Sequence, residues 1–341
     1  MRILIVTDAW KPQVNGVVTT LERLAESLAR MGVETEFLTP EGFRTVPLPG
    51  YGEIRIALAT PAQVARRIDA AGADRVHIAT EGPLGLMARR ACLAAGRPFT
   101  TSYHTRFPEF LRARLPVPEA WTYRWLRRFH NAGNAMLVAT PSLAEELSGR
   151  GFANIRLWSR GVDMSQFHPE HRVDLGLARP VFLCVGRVAV EKNLPAFLDL
   201  DLPGTKVVVG DGPALPQLKA RYPQVVFMGQ RRGAELAAVF ASADVFVFPS
   251  RTDTFGNVII EALASGTPVA AFPVTGPRDI LGGGGGVLGD DLRQAALDAL
   301  AVPREAARER ARAYDWGECA SRFLIHVKRA ALDHAAKRSA T

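Results

Sequence analysis

Short, nearly continuous apolar runs recur along the chain, each followed by a loop and then by apolar positions at helical spacing. Arg2-Ile-Leu-Ile-Val6 leads to Val18, Leu21, Leu24 and Leu28, a recurrence that predicts an amphipathic helix over 17–31. Further runs at 33–38, 54–57, 75–79, 99–103, 135–139 and 155–158 alternate with helical patterns opening at Pro61, Pro83 and Pro141. Apolar strands that alternate with helices predict a parallel, doubly wound α/β sheet. The rhythm restarts at Val181-Phe-Leu-Cys-Val185 and continues at 205–209, 225–228 and 245–248. Between the two series lies a polar, proline-bearing stretch from Ser159 to Pro180, read as a linker about which two lobes hinge. Gly282 to Gly286, five glycines in a row, reads as a flexible loop. From Arg304 onward the pattern is helical, with a frayed tail at Lys337–Thr341.

A chain of 341 residues exceeds one typical core and fits two domains. The expected division is 1–165 and 166–315, with 316–341 as a helix returning to the first domain. A hydrophobic fraction of 48% and a charged fraction of 22% belong to an ordinary globular protein, and no apolar run is long enough to span a bilayer. The N-terminus enters a strand at once, too briefly for a signal segment, so a cytoplasmic location is expected. Cys92, Cys184 and Cys319 stand far apart in apolar settings, as reduced core thiols do.

The net charge of +8 is unevenly spread. Residues 1–160 hold 21 Lys and Arg against 14 Asp and Glu, and the remainder 21 against 20. The basic excess includes Arg106, Arg112, Arg114, Arg124, Arg127 and Arg128, interleaved with Phe107, Phe110, Leu111, Leu115, Trp121, Trp125 and Phe129. Such a segment suits an anionic membrane surface. It equally describes a helix pair with buried aromatics and solvated arginines. Nucleic acid is disfavoured, since no binding module accompanies the charge.

Several loops carry candidate chemistry. After the run Val245–Phe248 come Asp253, Phe255, Gly256, Asn257 and, within a predicted helix, Glu261. A helix N-terminus is an anion site, and carboxylates on either side of a bound phosphate can accept hydrogen bonds from hydroxyls. The layout suits sugar–diphosphate–ribose; it also describes a plain strand–turn–helix. Arg187 and Lys192 in Gly186-Arg-Val-Ala-Val-Glu-Lys-Asn193 flank another strand end, where two cations would neutralise a departing diphosphate. Asn15-Gly16 opens the first helix, either for close approach of a ligand or for a tight turn; no GxGxxG follows, which disfavours a dinucleotide. His104 ends the run Phe99–Tyr103, a position where open α/β sheets bind ligands. Asp199-Leu-Asp201 is a chance DxD before Pro203.

Taken together, Gly16, His104, Arg187 with Lys192, the Arg160-Gly-Val-Asp163 run and the Asp253-x7-Glu261 spacing resemble glycosyltransferase family 4, the retaining GT-B glycosyltransferases, over nearly the whole chain. Asp253 stands where the family usually has Glu. The resemblance implies two Rossmann-like domains facing across a cleft, an acceptor-binding one and a nucleotide-sugar-binding one. It also implies hexosyl transfer from a nucleotide sugar. Glu261 then binds the ribose, and Asp253 with the backbone of Phe255, Gly256 and Asn257 holds sugar hydroxyls. Arg187 and Lys192 stabilise the diphosphate, the loop at Gln230 and Arg231 lies against the base, Gly16 makes room for the donor, and His104 contacts the sugar. No cofactor is implied, and a metal is not required where two cations meet the diphosphate. The expected donor is UDP-glucose, UDP-glucuronate or GDP-mannose and the expected acceptor a membrane lipid such as diacylglycerol, with the enzyme peripheral at the inner membrane face. Alternatives are a GDP-mannose-dependent mannosyltransferase acting on a polysaccharide or lipid-linked glycan, a non-catalytic nucleotide-sugar-binding protein, and a GT-B phosphorylase or epimerase. The intact set of Arg187, Lys192, Asp253 and Glu261 favours an enzyme.

Overall fold

The computed structural model describes residues 1–11, 16–48, 51–112 and 117–339. Asn15, Arg114, Leu115 and the last two residues of the tail lie outside them. The strands of the first half are β1 (Arg2–Val6), β2 (Glu34–Leu38), β3 (Thr45–Leu48), β4 (Tyr51–Ala57), β5 (Arg75–Ile78), β6 (Phe99–Tyr103), β7 (Ala135–Val138) and β8 (Ile155–Leu157). Those of the second half are β9 (Val181–Val185), β10 (Thr205–Val209), β11 (Val226–Gly229), β12 (Val245–Phe248), β13 (Val269–Ala271) and β14 (Gly286–Leu288). The chain forms two compact units, residues 1–159 with 316–341, and residues 160–315.

The first unit holds a parallel sheet in the order β2-β1-β5-β6-β7-β8. The run at 54–57, predicted beside the other strands, instead belongs to β4, which pairs antiparallel with β3 in a separate hairpin. One core of this unit joins Ile3, Ile5, Leu21, Leu24 and Leu28 to Trp158 and to Trp316, Phe323 and Val327 of the last helix, Trp316–Ser339. Trp158 donates its indole N–H to the carbonyl of Cys319 at 3.1 Å, so the buried ring has its polar partner. Further along the helix, the imidazole of His334 meets Asn134 Nδ2 and the carbonyl of Gly96, both at 3.2 Å.

The second unit is a parallel sheet in the order β11-β10-β9-β12-β13-β14, a Rossmann-like arrangement in which strand order reverses between β9 and β12. It begins earlier than the expected residue 166. Val162 donates to Tyr314 O at 2.9 Å and bridges to Asp315, and Phe167 packs on Phe240 at 5.9 Å. Much of the segment read as linker is thus anchored in this unit. The glycine run is likewise more ordered than its composition suggests: Gly286 pairs with Val269, and a Cβ there would sit 2.2 Å from the Val269 carbonyl oxygen. Glycine is required because the backbones approach too closely for a side chain. Among the described residues no helix is long and apolar enough to cross a membrane.

Phe323 is fully buried, 4.9 Å from the His77 ring and 5.1 Å from Trp158. Phe323→Ala is expected to destabilise the first unit by about 3–5 kcal/mol through the cavity it leaves. Chemical denaturation should show the corresponding shift in midpoint.

Candidate active site

In the second unit the loops at the carboxyl ends of β9 and β12 carry most of the predicted residues, and the sheet explains why they gather there. The ladder between these neighbours covers only Val245↔Phe182 and Phe246↔Leu183. Beyond that point β9 continues on β10 as far as Val185↔Val209, and β12 on β13 as far as Phe248↔Ala271. The gap opens into a hollow lined by Gly186, Arg187, Lys192, Phe248, Pro249 and Ser250, with Cys184 among its walls. This is the switch-point crevice in which open α/β sheets bind ligands. Gly210 helps to shape it, since a Cβ at that residue would lie 1.8 Å from the carbonyl oxygen of Gly186.

Across the gap Lys192 Nζ reaches Asp253 Oδ1 at 2.6 Å, with both side chains largely shielded. Asp253 Oδ2 is buried and has no hydrogen-bond partner among the described residues, an arrangement that costs free energy unless a donor arrives. Behind it the helix Asn257–Ala264 starts from Gly256, which has φ 92° and offers no side-chain cap. That helix end retains the anion preference of backbone N–H groups and dipole. Glu261 and Asn257, four residues apart on this helix, are both half-buried and share a face. Phe255 contributes only its backbone: its ring is buried edge-on against Tyr314 at 5.7 Å. A Cβ on Gly276 would stand 2.4 Å from Phe255 O, so Gly276 lets the loop settle. Gln230 and Arg231 follow β11, are exposed, and lie two strands from β9, roughly 10 Å away by strand spacing. Arg231 approaches Glu235 at 3.8 Å.

The first unit has its own switch point, between β1 and β5, but fills it with its own side chain. Asp8 accepts the backbone N–H groups of Leu84 and Gly85 at 2.8 and 3.1 Å and the hydroxyl of Thr80 at 3.0 Å. Burial holds its carboxyl above the usual carboxylate range, partly offset by those bonds. The helix Pro83–Ala94 is thereby capped from a distance. Asp8 was not singled out by the sequence, where it is one carboxylate at a strand end. His104 is buried at the end of β6 with its ring edge-on to Trp158 at 6.0 Å, and Gly16 is exposed at the start of the first helix. These two belong to a different unit from Arg187, Lys192 and Asp253.

The basic segment divides. Arg106 is half-buried and paired with Glu146 at 2.5 Å and Glu109 at 3.2 Å, so it is not a loosely solvated cation, whereas Arg112 pairs with Glu119 at 2.9 Å but stays exposed. Phe129 is buried, whereas Trp121 is 69% exposed. Arg124 and Arg128 are exposed on the same helix, Glu119–His130, and three- and seven-residue offsets place them beside Trp121.

A sequence profile described as Glycosyltransferase Family 4 matches residues 14–166, and one described as Glycosyl transferases group 1 matches residues 179–302. A GDP-mannose-dependent alpha-mannosyltransferase of Mycobacterium tuberculosis is 32% identical over 307 residues, covering 82% of this chain and 81% of that one. The chain belongs to glycosyltransferase family 4. It is a glycosyltransferase enzyme with the two Rossmann-like halves of the GT-B fold. Another relative, alpha-monoglucosyldiacylglycerol synthase of Streptococcus pneumoniae, is 27% identical over 80% of this chain and 71% of its own. In fold, the family 4 chain matches the solved sucrose-phosphate synthase of Thermosynechococcus elongatus with a TM-score of 0.74 at 20% identity, covering 96% of this chain and 98% of that one.

Cys92, Cys184 and Cys319 are free and buried. Burial pushes the Cys184 thiol up to about 12 and that of Cys92 to about 11, so near pH 8 these two are almost wholly protonated, and Cys319 is shielded by its burial. The native enzyme is expected to give well under one equivalent with a thiol-specific disulfide reagent at that pH, and three equivalents in denaturant.

Proposed function

We propose that this enzyme transfers a mannosyl residue from GDP-mannose to a membrane lipid acceptor, a diacylglycerol or its glycosylated derivative, with retention at the anomeric carbon. The observation that carries the reading is the Lys192–Asp253 contact at the parted end of β9 and β12, with the second Asp253 oxygen buried and unsatisfied. A cation for the diphosphate and an acceptor for a sugar hydroxyl stand side by side. The name of the mycobacterial relative supports the choice of donor.

In this reading Arg187 and Lys192 neutralise the diphosphate as the glycosidic bond to it breaks. Asp253 Oδ2 accepts a sugar hydroxyl, Glu261 a ribose hydroxyl, and the backbone of Phe255, Gly256 and Asn257 lines the sugar. Gln230 and Arg231 lie on the side of the base. The transition state is oxocarbenium-like; the acceptor hydroxyl attacks from the leaving-group face and gives its proton to a phosphate oxygen. The charge neutralisation is assigned to the two side chains, with no cofactor. The first unit is assigned to the acceptor and the second to the donor. The roles of Gly16 and His104 toward the donor sugar stand on the family resemblance alone. Trp121, Arg124 and Arg128 form the face offered to anionic lipid, with the enzyme peripheral on the cytoplasmic side, where each basic residue contributes about 1 kcal/mol.

A second reading keeps the site and changes the donor to UDP-glucose, as the name of the pneumococcal relative suggests. A thermal-shift screen separates the two: GDP-mannose should raise the melting temperature more than UDP-glucose or UDP-glucuronate at equal concentration. The opposite ranking selects the second reading. Lys192→Ala should lower turnover about 10²-fold, the usual loss for one preorganised charge contact; turnover near that of the unaltered enzyme removes Lys192 from the mechanism. Flotation with anionic vesicles at low salt should carry the protein upward. A Trp121→Ala, Arg124→Glu, Arg128→Glu variant should stay at the bottom, and an equally buoyant variant would move the membrane face elsewhere.

A further inference from the structure

The hollow between β9 and β12 exists because their ladder stops early, so something else must hold its two rims at a fixed separation. One rim is the turn Val190–Lys192 that follows β9; the other is the segment Pro249–Asp253 that follows β12. Besides the Lys192–Asp253 pair, side-chain hydrogen bonds from Asn193 and Thr252 span the gap. Asn193 Nδ2 donates to the carbonyl oxygen of Pro249 at 3.1 Å, and Thr252 Oγ1 donates to the carbonyl oxygen of Glu191 at 3.3 Å. The first is the shorter, and it leaves from the residue next to Lys192.

Asn193 is also one of the few non-glycine residues in the left-handed region, at φ 52°, ψ 37°. Glycine would adopt that conformation with less strain. Asparagine tolerates it and adds what glycine lacks, an amide N–H₂ that can reach the opposite rim. Its left-handed backbone ends the turn bearing Lys192, whose N–H bonds to Ala189 O at 3.0 Å, while Asn193 N–H bonds to Val190 O at 3.1 Å. Its own carbonyl then accepts from Ala196 N at 3.0 Å and starts the short helix Pro195–Leu198. The residue thus fixes the direction of the turn through its backbone and its distance from β12 through its side chain.

We propose that Asn193 is a positioning residue for the reaction: it ties the Lys192 turn to the end of β12 so that the ammonium stands where the diphosphate arrives. Asn193 does not touch the donor; it acts through Lys192. Loss of the tie leaves Lys192 on a turn free to drift, and a drift of about an ångström takes its ammonium out of the narrow distance range of a charge-assisted hydrogen bond to phosphate. The inference rests on the reading that Lys192 meets the diphosphate.

Asn193→Gly is the informative variant, because it keeps the left-handed backbone and removes only the amide. Calorimetric titration with GDP and with GMP isolates the effect, since only GDP carries the second phosphate. Asn193→Gly is expected to weaken GDP binding about fivefold, the loss of one modest hydrogen-bonded constraint, and to leave GMP within twofold. In a Lys192→Ala background the same change should cost nothing further, the non-additivity of residues that act as a unit. Unaltered GDP affinity in Asn193→Gly overturns the proposal. So does an equal loss for GMP, or an equal loss when Lys192 is already absent, either of which marks a merely structural role. If Lys192→Ala alone leaves GDP binding intact, the reading of Lys192 fails instead. If UDP and UMP bind and the guanine nucleotides do not, the donor assignment fails while the tie is tested with that pair.

Discussion

Two neighbouring parallel strands that stop pairing partway along are the constraint on which the rest of the site depends. β9 and β12 share hydrogen bonds only as far as Leu183 and Phe246, after which each keeps company with its other neighbour. The reversal of strand order sends the helices that follow the two strands toward opposite faces of the sheet and leaves room for this parting. Backbone and side-chain groups at the carboxyl ends would otherwise be spent on the ladder. Here they surround a crevice, and one of the strand-end loops carries Arg187 and Lys192 while the other carries Asp253. Chemistry follows from topology because the sheet brings together residues 61 positions apart at 2.6 Å.

The two units place different groups at the switch points of the same architecture. At the switch point of the first, Asp8 occupies the N-terminal end of the helix Pro83–Ala94 and accepts its N–H groups. An anion from outside would have to displace a buried carboxylate. At the switch point of the second, Gly256 begins the helix Asn257–Ala264 without a side-chain cap, and the nearby Asp253 keeps one buried oxygen unmatched. The physical difference is that one switch point is occupied by a carboxylate bonded to the helix N–H groups, whereas the other presents a cation beside a carboxylate oxygen left unmatched; the proposed placing of the diphosphate in the second unit rests on it.

Much of the fold was legible because buried parallel strands write themselves as unbroken apolar runs: Val181–Val185 and Val245–Phe248 needed no tertiary knowledge. Runs of equal apolarity do not say which strand they pair with, and so 54–57 was placed with the main sheet although β4 belongs to a hairpin with β3. Gly282 to Gly286 misled for a related reason. Composition records that glycines can move, whereas the short distance from Gly286 to Val269 O records why no other residue fits. Within the candidate site, Arg187, Lys192 and Asp253 were visible as charges at strand ends. Asp8, Asn193 and Gly276 were not, since their importance lies in a bond to one backbone group or the avoidance of one. The arginines of 106–128 illustrate the same limit: sequence counts charge, but only packing shows that Arg106 is consumed by Glu146 and Glu109 while Arg124 and Arg128 remain at the surface beside Trp121.

The account is tested most directly by a crystal structure of the enzyme grown with GDP. It predicts diphosphate oxygens within hydrogen-bond distance of Lys192 Nζ, at the N-terminal end of the helix Asn257–Ala264, with the nucleoside directed toward Gln230. A nucleotide bound away from the carboxyl ends of β9 and β12, with the Lys192–Asp253 contact undisturbed and remote from it, would contradict the account.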